Sequence, residues 1–139
     1  MKSAITKISV VFAGGCLGAL LNSWVSYALG QAGIPQKWGV AIAPAWSTAF
    51  LYPRIVWGGL WGFLFLLPAF QGGFLVGVFS RGILFSLGPT AAQLLYFFPF
   101  VLKKGWFGLS LGDLTPLFVF AYNAVWGLCA AWWVWMAEK

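Results

Sequence analysis

Four long apolar runs divide the chain, and short breaks rich in glycine, proline or polar residues separate them. A helix needs about 20 predominantly apolar residues to cross a hydrocarbon core about 30 Å thick, and each of the four runs reaches that length. The pattern predicts four transmembrane helices in a single domain that covers residues 1–139. Their expected bounds are residues 8–29, 39–70, 74–102 and 115–136.

The two middle runs carry prolines and are too long for one straight helix each. In the second run, Pro44 and Pro53 leave two alternatives: one tilted, kinked helix, or a short re-entrant piece before a helix that starts near residue 53. A re-entrant piece would imply a cavity, because irregular backbone at membrane depth is tolerated only where protein or water covers it. In the third run, Gly88 and Pro89 predict a break near residue 88.

These features predict an all-α fold. We expect a polytopic integral membrane protein, folded as a compact bundle of about four transmembrane helices with one or two of them broken or re-entrant. We also expect a tight turn at residues 71–73, an interfacial loop at residues 105–113, and Asp113 as the N-cap of the last helix. The first apolar run continues to residue 29, which favours a retained first span over a cleaved leader.

Composition supports a lipid environment. Hydrophobic residues make up 62% of the chain and charged residues 7%, whereas soluble proteins carry roughly 25% charged residues. The net charge is +6, but the basic residues are scattered and form no stripe, so we expect no nucleic-acid partner. Lysines lie at both ends of the predicted bundle, so their distribution leaves the orientation undecided. The expected location is the inner (cytoplasmic) membrane of a bacterium, with membrane lipids as partners.

Several glycines recur at intervals of four residues, the spacing that lets helix backbones approach closely in lipid. Two uses of these glycines remain open. They pack helices of one chain together, or they form the face of a homo-oligomer. The glycines concerned are Gly14, Gly18, Gly58, Gly62, Gly73 and Gly77.

Arg54 and Arg81 are the charged residues placed inside apolar runs. Arg81 lies far enough beyond the turn at residues 71–73 to be roughly 13 Å deep, where an arginine is costly unless it has a partner. Arg54 is either equally deep or, if Pro53 starts a helix, a boundary anchor. Two roles remain open for Arg81. It binds a ligand, or it has a structural role and donates hydrogen bonds to backbone carbonyls that the break at Gly88 and Pro89 leaves free.

Both carboxylates of the chain, Asp113 and Glu138, lie outside the apolar runs, so only neutral partners are expected for the two arginines. A desolvated guanidinium with neutral partners favours an anion. The sequence therefore predicts a solute- or anion-binding site formed by Arg81, Arg54, Asn22, Asn123 and Gln93. Further neutral partners are Ser23, Ser26, Ser80, Ser86, Thr90 and Tyr122.

The chain has few of the side chains that enzymes use as acids, bases, nucleophiles or metal ligands. The chain has no histidine and only two acidic residues, and Cys16 and Cys129 lie singly in apolar runs. We expect no catalytic site, no metal site and no cofactor.

Two functions follow from the sequence. In the first, the protein binds or conducts a small anionic or amphipathic solute through a cavity near Arg81. In the second, it is a non-catalytic accessory or scaffold subunit of a larger membrane protein complex.

Overall fold

A computed structural model describes residues 3–68 and 73–138 of the chain, and these residues are helical or irregular, with no strand among them. Four helices are long and apolar enough to cross a membrane. The predicted all-helical fold with four such helices is thereby confirmed. We label the α-helices α1 (Ala4–Ala32), α2 (Ile34–Lys37), α3 (Thr48–Trp61), α4 (Arg81–Ala92) and α5 (Thr115–Ala137).

Helices of other types extend two of these elements. A 3₁₀ segment, Gly62–Leu66, continues α3. Two π-helical segments, Leu75–Ser80 and Gln93–Val101, flank α4. The resulting long helix, Leu75–Val101, is one continuous element. A further 3₁₀ segment, Trp106–Leu111, lies before α5.

The second apolar run is interrupted, but not near residue 53 as predicted. The irregular piece covers residues 40–46, and α3 then begins at Thr48 because the Ser47 side chain accepts a hydrogen bond from the Phe50 N–H at 3.2 Å. Pro53 lies inside α3. It removes only one backbone donor close to the start of the helix, so the helix continues through it.

Two further local predictions are also corrected. Gly88 and Pro89 lie within α4, so the helix does not end near residue 88; the departures from α-helical geometry are the π segments on either side. Asp113 does not cap α5, whose N-cap position is Leu114 without a side-chain hydrogen bond. Of the turn expected at residues 71–73, residues 71 and 72 lie outside the described residues.

The bundle is built around α1, which packs antiparallel against both α3 and α5, while α4 packs on α5. At the α1–α3 contact, a Cβ atom on Gly15 would collide with the Gly58 carbonyl oxygen. At the α4–α5 contact, Gly82 and Gly127 approach each other in the same way. Backbones come this close only where side chains are absent.

The predicted glycine faces are mostly occupied within the chain. Gly14 and Gly18 face α5, and Gly58 and Gly62 face α1. These four glycines therefore pack helices of the same chain together. A Cβ atom on Gly73 would meet nothing within 4 Å among the described residues.

The ends of the helices define two ends of the bundle. The terminal end holds the start of α1 and the end of α5, and the loop end holds segments 33–47 and 102–114. At the loop end, the Ala41 N–H donates to the Leu111 carbonyl at 2.9 Å, which joins the two segments. On one side of the bundle, α3 meets the long helix through the rings of Trp57 and Phe97, whose centroids are 6.0 Å apart, and a cleft remains between these helices.

Candidate functional site

Two cavities meet at Arg54. The first, which we call the cleft, has a volume of about 340 Å³ and lies between α3 and the long helix. The second, which we call the loop-end cavity, has a volume of about 320 Å³ and is bordered by residues 41–44 of the irregular segment. Four residues line both cavities: Arg54, Gln93, Leu102 and Asn123.

The Arg54 side chain is held by neutral groups of α1. Its Nε–H donates to the Ser23 hydroxyl at 2.9 Å, and its Nη2 donates to Asn22 Oδ1 at 2.9 Å. The guanidinium also lies over the Phe50 ring, 4.9 Å from its centroid. Two of the five guanidinium N–H groups are therefore satisfied by protein, and the guanidinium is fixed in orientation.

The charge of Arg54 is not neutralised. Among residues 3–68 and 73–138, the ion pair that forms is Arg81 with Glu138, and no carboxylate lies within 4.0 Å of Arg54. The remaining N–H groups of Arg54, both on Nη1 and one on Nη2, have no acceptor within the described part of the chain. Because Arg54 lines both cavities, these donors are available to a ligand.

A continuous hydrogen-bond network extends from Arg54 across the bundle. Asn22 Oδ1 also accepts from the Ser26 hydroxyl at 3.3 Å, and Asn22 Nδ2 donates to Asn123 Oδ1 at 3.3 Å. Asn123 Nδ2 in turn donates to the Thr90 hydroxyl at 3.1 Å and to Gln93 Oε1 at 2.6 Å. The network links α1, α3, α5 and the long helix, so it holds the floor of both cavities in one arrangement.

The same helical spacing that aligns the glycines aligns these polar residues. Asn22 and Ser26 are four residues apart on α1, on the face that carries Gly18. Arg54 precedes Gly58 by four residues on α3, and Asn123 precedes Gly127 by four on α5. Residues four apart share a helix face, so the polar groups meet where the glycines let the helices approach.

Arg81 lies elsewhere. Its side chain is only 2% exposed and lines neither cavity. Its Nη2 donates to the Phe65 carbonyl at 2.5 Å and to the Leu67 carbonyl at 3.5 Å. The guanidinium also lies over the rings of Phe65 and Phe85, at 5.3 and 5.9 Å. These contacts tie the long helix to the end of the 3₁₀ segment that follows α3.

Two sequence-based expectations about Arg81 are thus corrected. An acidic partner is present, because Arg81 Nη1 lies 3.9 Å from Glu138, at the end of α5. The carbonyls that Arg81 binds are those of Phe65 and Leu67, not carbonyls freed at Gly88 and Pro89. Of the five residues predicted to form one site, the structure brings together Arg54, Asn22, Asn123 and Gln93 and leaves Arg81 apart.

Sequence reasoning missed the aromatic walls of the cleft and the cover of the loop-end cavity. Trp57 of α3 contacts Phe97 of the long helix, and Trp61 lies against Gly88 of the same helix. The cover is the irregular segment at residues 41–44, for which Pro44 was the available signal. No group of three His, Cys, Asp or Glu residues that could hold a metal ion occurs in the part of the chain that the structure describes.

Comparison with known protein families, with curated proteins and with solved structures found no match for this chain.

Proposed function

We propose that this chain is an integral membrane protein that binds the anionic group of a small or amphipathic solute at Arg54, without acting as an enzyme. The observation that carries the proposal is the uncompensated guanidinium at the junction of the two cavities. Hydrogen bonds between a charged donor and an anion are about twice as strong as those between neutral groups. The three unused N–H groups give the site its preference for negative charge.

The surroundings of Arg54 favour an anion over a neutral ligand. Ser23 and Asn22 hold the guanidinium, and the Asn22 amide in turn bonds Asn123. Because these side chains are already ordered, binding costs little further side-chain entropy. Apolar groups line most of both cavities, which lowers the local dielectric and strengthens the attraction between Arg54 and an anion.

Insertion into a membrane is part of the proposal. Its support is the four long apolar helices together with the large apolar side chains on their outer surfaces, among them Trp24, Trp57, Leu75 and Leu117. A water-soluble monomer rarely exposes so much apolar surface. Three further points remain predictions from the sequence: location in the bacterial inner membrane, conduction of the solute, and a homo-oligomeric state.

Substitution of Arg54 by glutamine tests this function. We expect at least one of phosphate, acetate and decanoate to raise the thermal unfolding midpoint of the protein in phosphatidylcholine nanodiscs. Decanol serves as the uncharged comparison. Loss of a charged hydrogen-bond donor costs about 1.5–3 kcal/mol, so Arg54→Gln should weaken binding of that anion by about 10- to 100-fold.

Lys37→Gln is the matched control, because it removes the same charge from an exposed residue at the loop end. It should bind the anion as the unsubstituted protein does. The proposal fails if none of the three anions stabilises the protein, or if Arg54→Gln and Lys37→Gln respond alike.

The alternative function is an accessory subunit of a larger membrane complex, in which glycine faces and aromatic side chains would pack against partner helices and the arginines would meet acidic partner residues. Gly14, Gly18, Gly58 and Gly62 instead contact helices of their own chain. These four glycines are therefore not available to partner helices, which removes one of the grounds for the accessory role.

A further inference from the structure

We infer that the ligand of Arg54 is an amphiphile with one acyl chain, whose anionic head binds at the junction of the two cavities and whose chain lies in the cleft. This inference rests on the proposed function and adds the chemical class of the ligand. It follows from the way polar and apolar groups are distributed along the cleft.

The cleft is polar at one end and aromatic along its walls. Arg54, Asn123 and Gln93 lie where the cleft meets the loop-end cavity, and Asn22, which lines the cleft, accepts a hydrogen bond from Arg54. From Arg54 to Trp61, the α3 wall extends for seven residues, or about 10 Å along the helix axis. Beyond Arg54, this wall presents Trp57 and Trp61. On the long helix opposite, Pro89 follows Gly88, against which Trp61 lies, and Phe97 contacts Trp57.

An inorganic anion would use only the polar end of this site. The aromatic walls continue for about two helical turns beyond Arg54. A chain that enters from water gains about 0.8 kcal/mol for each CH₂ group buried against these walls. A chain that enters from the bilayer gains only packing contacts, because lipid tails are themselves apolar. The rings of Trp57 and Phe97 are in edge-to-face contact, with their centroids 6.0 Å apart, so this pair closes one side of the cleft. The chain lies beside the pair, in the space of about 340 Å³ that Trp61 and Pro89 also line.

Further polar side chains border the loop-end cavity near the head. Ser26 and Tyr122 line it together with Arg54. The Tyr122 side chain is buried, and its hydroxyl has no hydrogen-bond partner within the described residues. An unpaired buried hydroxyl is costly, but this oxygen has almost no accessible surface, so Tyr122 borders the cavity without presenting its hydroxyl to the ligand.

Quenching of tryptophan fluorescence by a brominated chain tests the inference, because bromine quenches only indoles that it contacts. The probe is a brominated long-chain carboxylate, added to the protein in phosphatidylcholine nanodiscs, and its methyl ester is the uncharged comparison. We expect the carboxylate to quench more than the ester does. The unbrominated long-chain carboxylate should displace it, and acetate at the same concentration should not.

Variants locate the chain and the head. Replacing Trp57 and Trp61 together by phenylalanine keeps the walls apolar and should remove the extra quenching by the carboxylate. Trp24→Phe, at an exposed residue of α1 outside both cavities, should retain it. Arg54→Gln should remove the preference for the carboxylate over the ester, and Arg54→Lys, which keeps the charge, should preserve it.

The outcomes separate this inference from the proposed function. If acetate competes as well as the long-chain carboxylate, or if the Trp57 and Trp61 double variant keeps the extra quenching, the acyl-chain inference is wrong while anion binding at Arg54 stands. If the ester quenches as much as the carboxylate, the head-group assignment is wrong. If, in addition, phosphate, acetate and decanoate all fail to stabilise the protein, the proposed function is wrong as well.

Discussion

Substitution of Arg81 by alanine is expected to lower the free energy of unfolding by about 3–5 kcal/mol. The change removes a charged donor from the Phe65 carbonyl and the guanidinium from two aromatic rings, and it leaves a void where a fully buried side chain was. The thermal unfolding midpoint of the purified protein, followed by tryptophan fluorescence, measures the loss. A drop of less than about 1 kcal/mol would show that Arg81 is not structural.

Glu138→Gln is the companion variant. Glu138 is 47% exposed and lies 3.9 Å from Arg81, so the ion pair resembles surface pairs, which contribute about 0–1 kcal/mol. We expect its unfolding midpoint to stay close to that of the unsubstituted protein. Arg81→Met, which restores most of the buried volume, should recover part of the loss seen with alanine. Folded Arg81→Met protein should bind the anion at Arg54 normally, since Arg81 lines neither cavity.

Substitution of Gly15 by alanine is the second change with a large expected effect. In a helix interior alanine is favoured over glycine by about 1 kcal/mol. At Gly15, however, the new Cβ would overlap the Gly58 carbonyl oxygen and fall 2.9 Å from the Gly59 Cα. Backbone atoms cannot rotate away as a side chain does, so α1 and α3 must separate. We expect a net loss of about 1–3 kcal/mol in the free energy of unfolding.

Gly73→Ala is the matched control, because the added methyl group meets none of the described residues within 4 Å. Its unfolding midpoint should be unchanged or slightly raised. Equal midpoints for the two variants would contradict the close packing of α1 against α3. Separation of these helices would also move Arg54 away from Ser23 and Asn22, so the Gly15 variant should bind the anion more weakly.

The sequence was sufficient to predict the helices but not their breaks. Hydropathy and length depend on local composition, and they predicted all four long helices. The breaks depend on context: Pro53 and Pro89 were expected to interrupt helices, and both lie inside them. A proline removes one hydrogen bond, and neighbouring packing decides whether the helix continues. The Ser47 cap, which starts α3, was not identified as a helix start.

The sequence identified four polar residues that lie together in the structure, but it did not predict that Arg81 lies apart from them. Arg54, Asn22, Asn123 and Gln93 were identified because polar residues in apolar helices need partners. Arg81 was expected to be the principal ligand because its depth was estimated from the turn that precedes it. Its long side chain instead reaches the carbonyls of Phe65 and Leu67 and the end of α5. Contacts between segments far apart in the sequence decide which arginine has a carboxylate nearby. Composition carries no information about such contacts.

The contact between α1 and α5 joins the first and last long helices of the chain, and the Asn22–Asn123 hydrogen bond spans 101 positions. A ribosome delivers α1, α3 and α4 before α5 exists. Trp126 and Asn123 both belong to α5. Before α5 is made, the Gly15 and Gly58 carbonyls therefore lack the Trp126 donor, and Asn22 lacks its Asn123 partner. Arg54 can contact Ser23 and Asn22 as soon as α1 and α3 are present, but the hydrogen-bond network around it is complete only after α5 is added. A chain that ends before residue 115 would therefore lack the Asn123 links of that network.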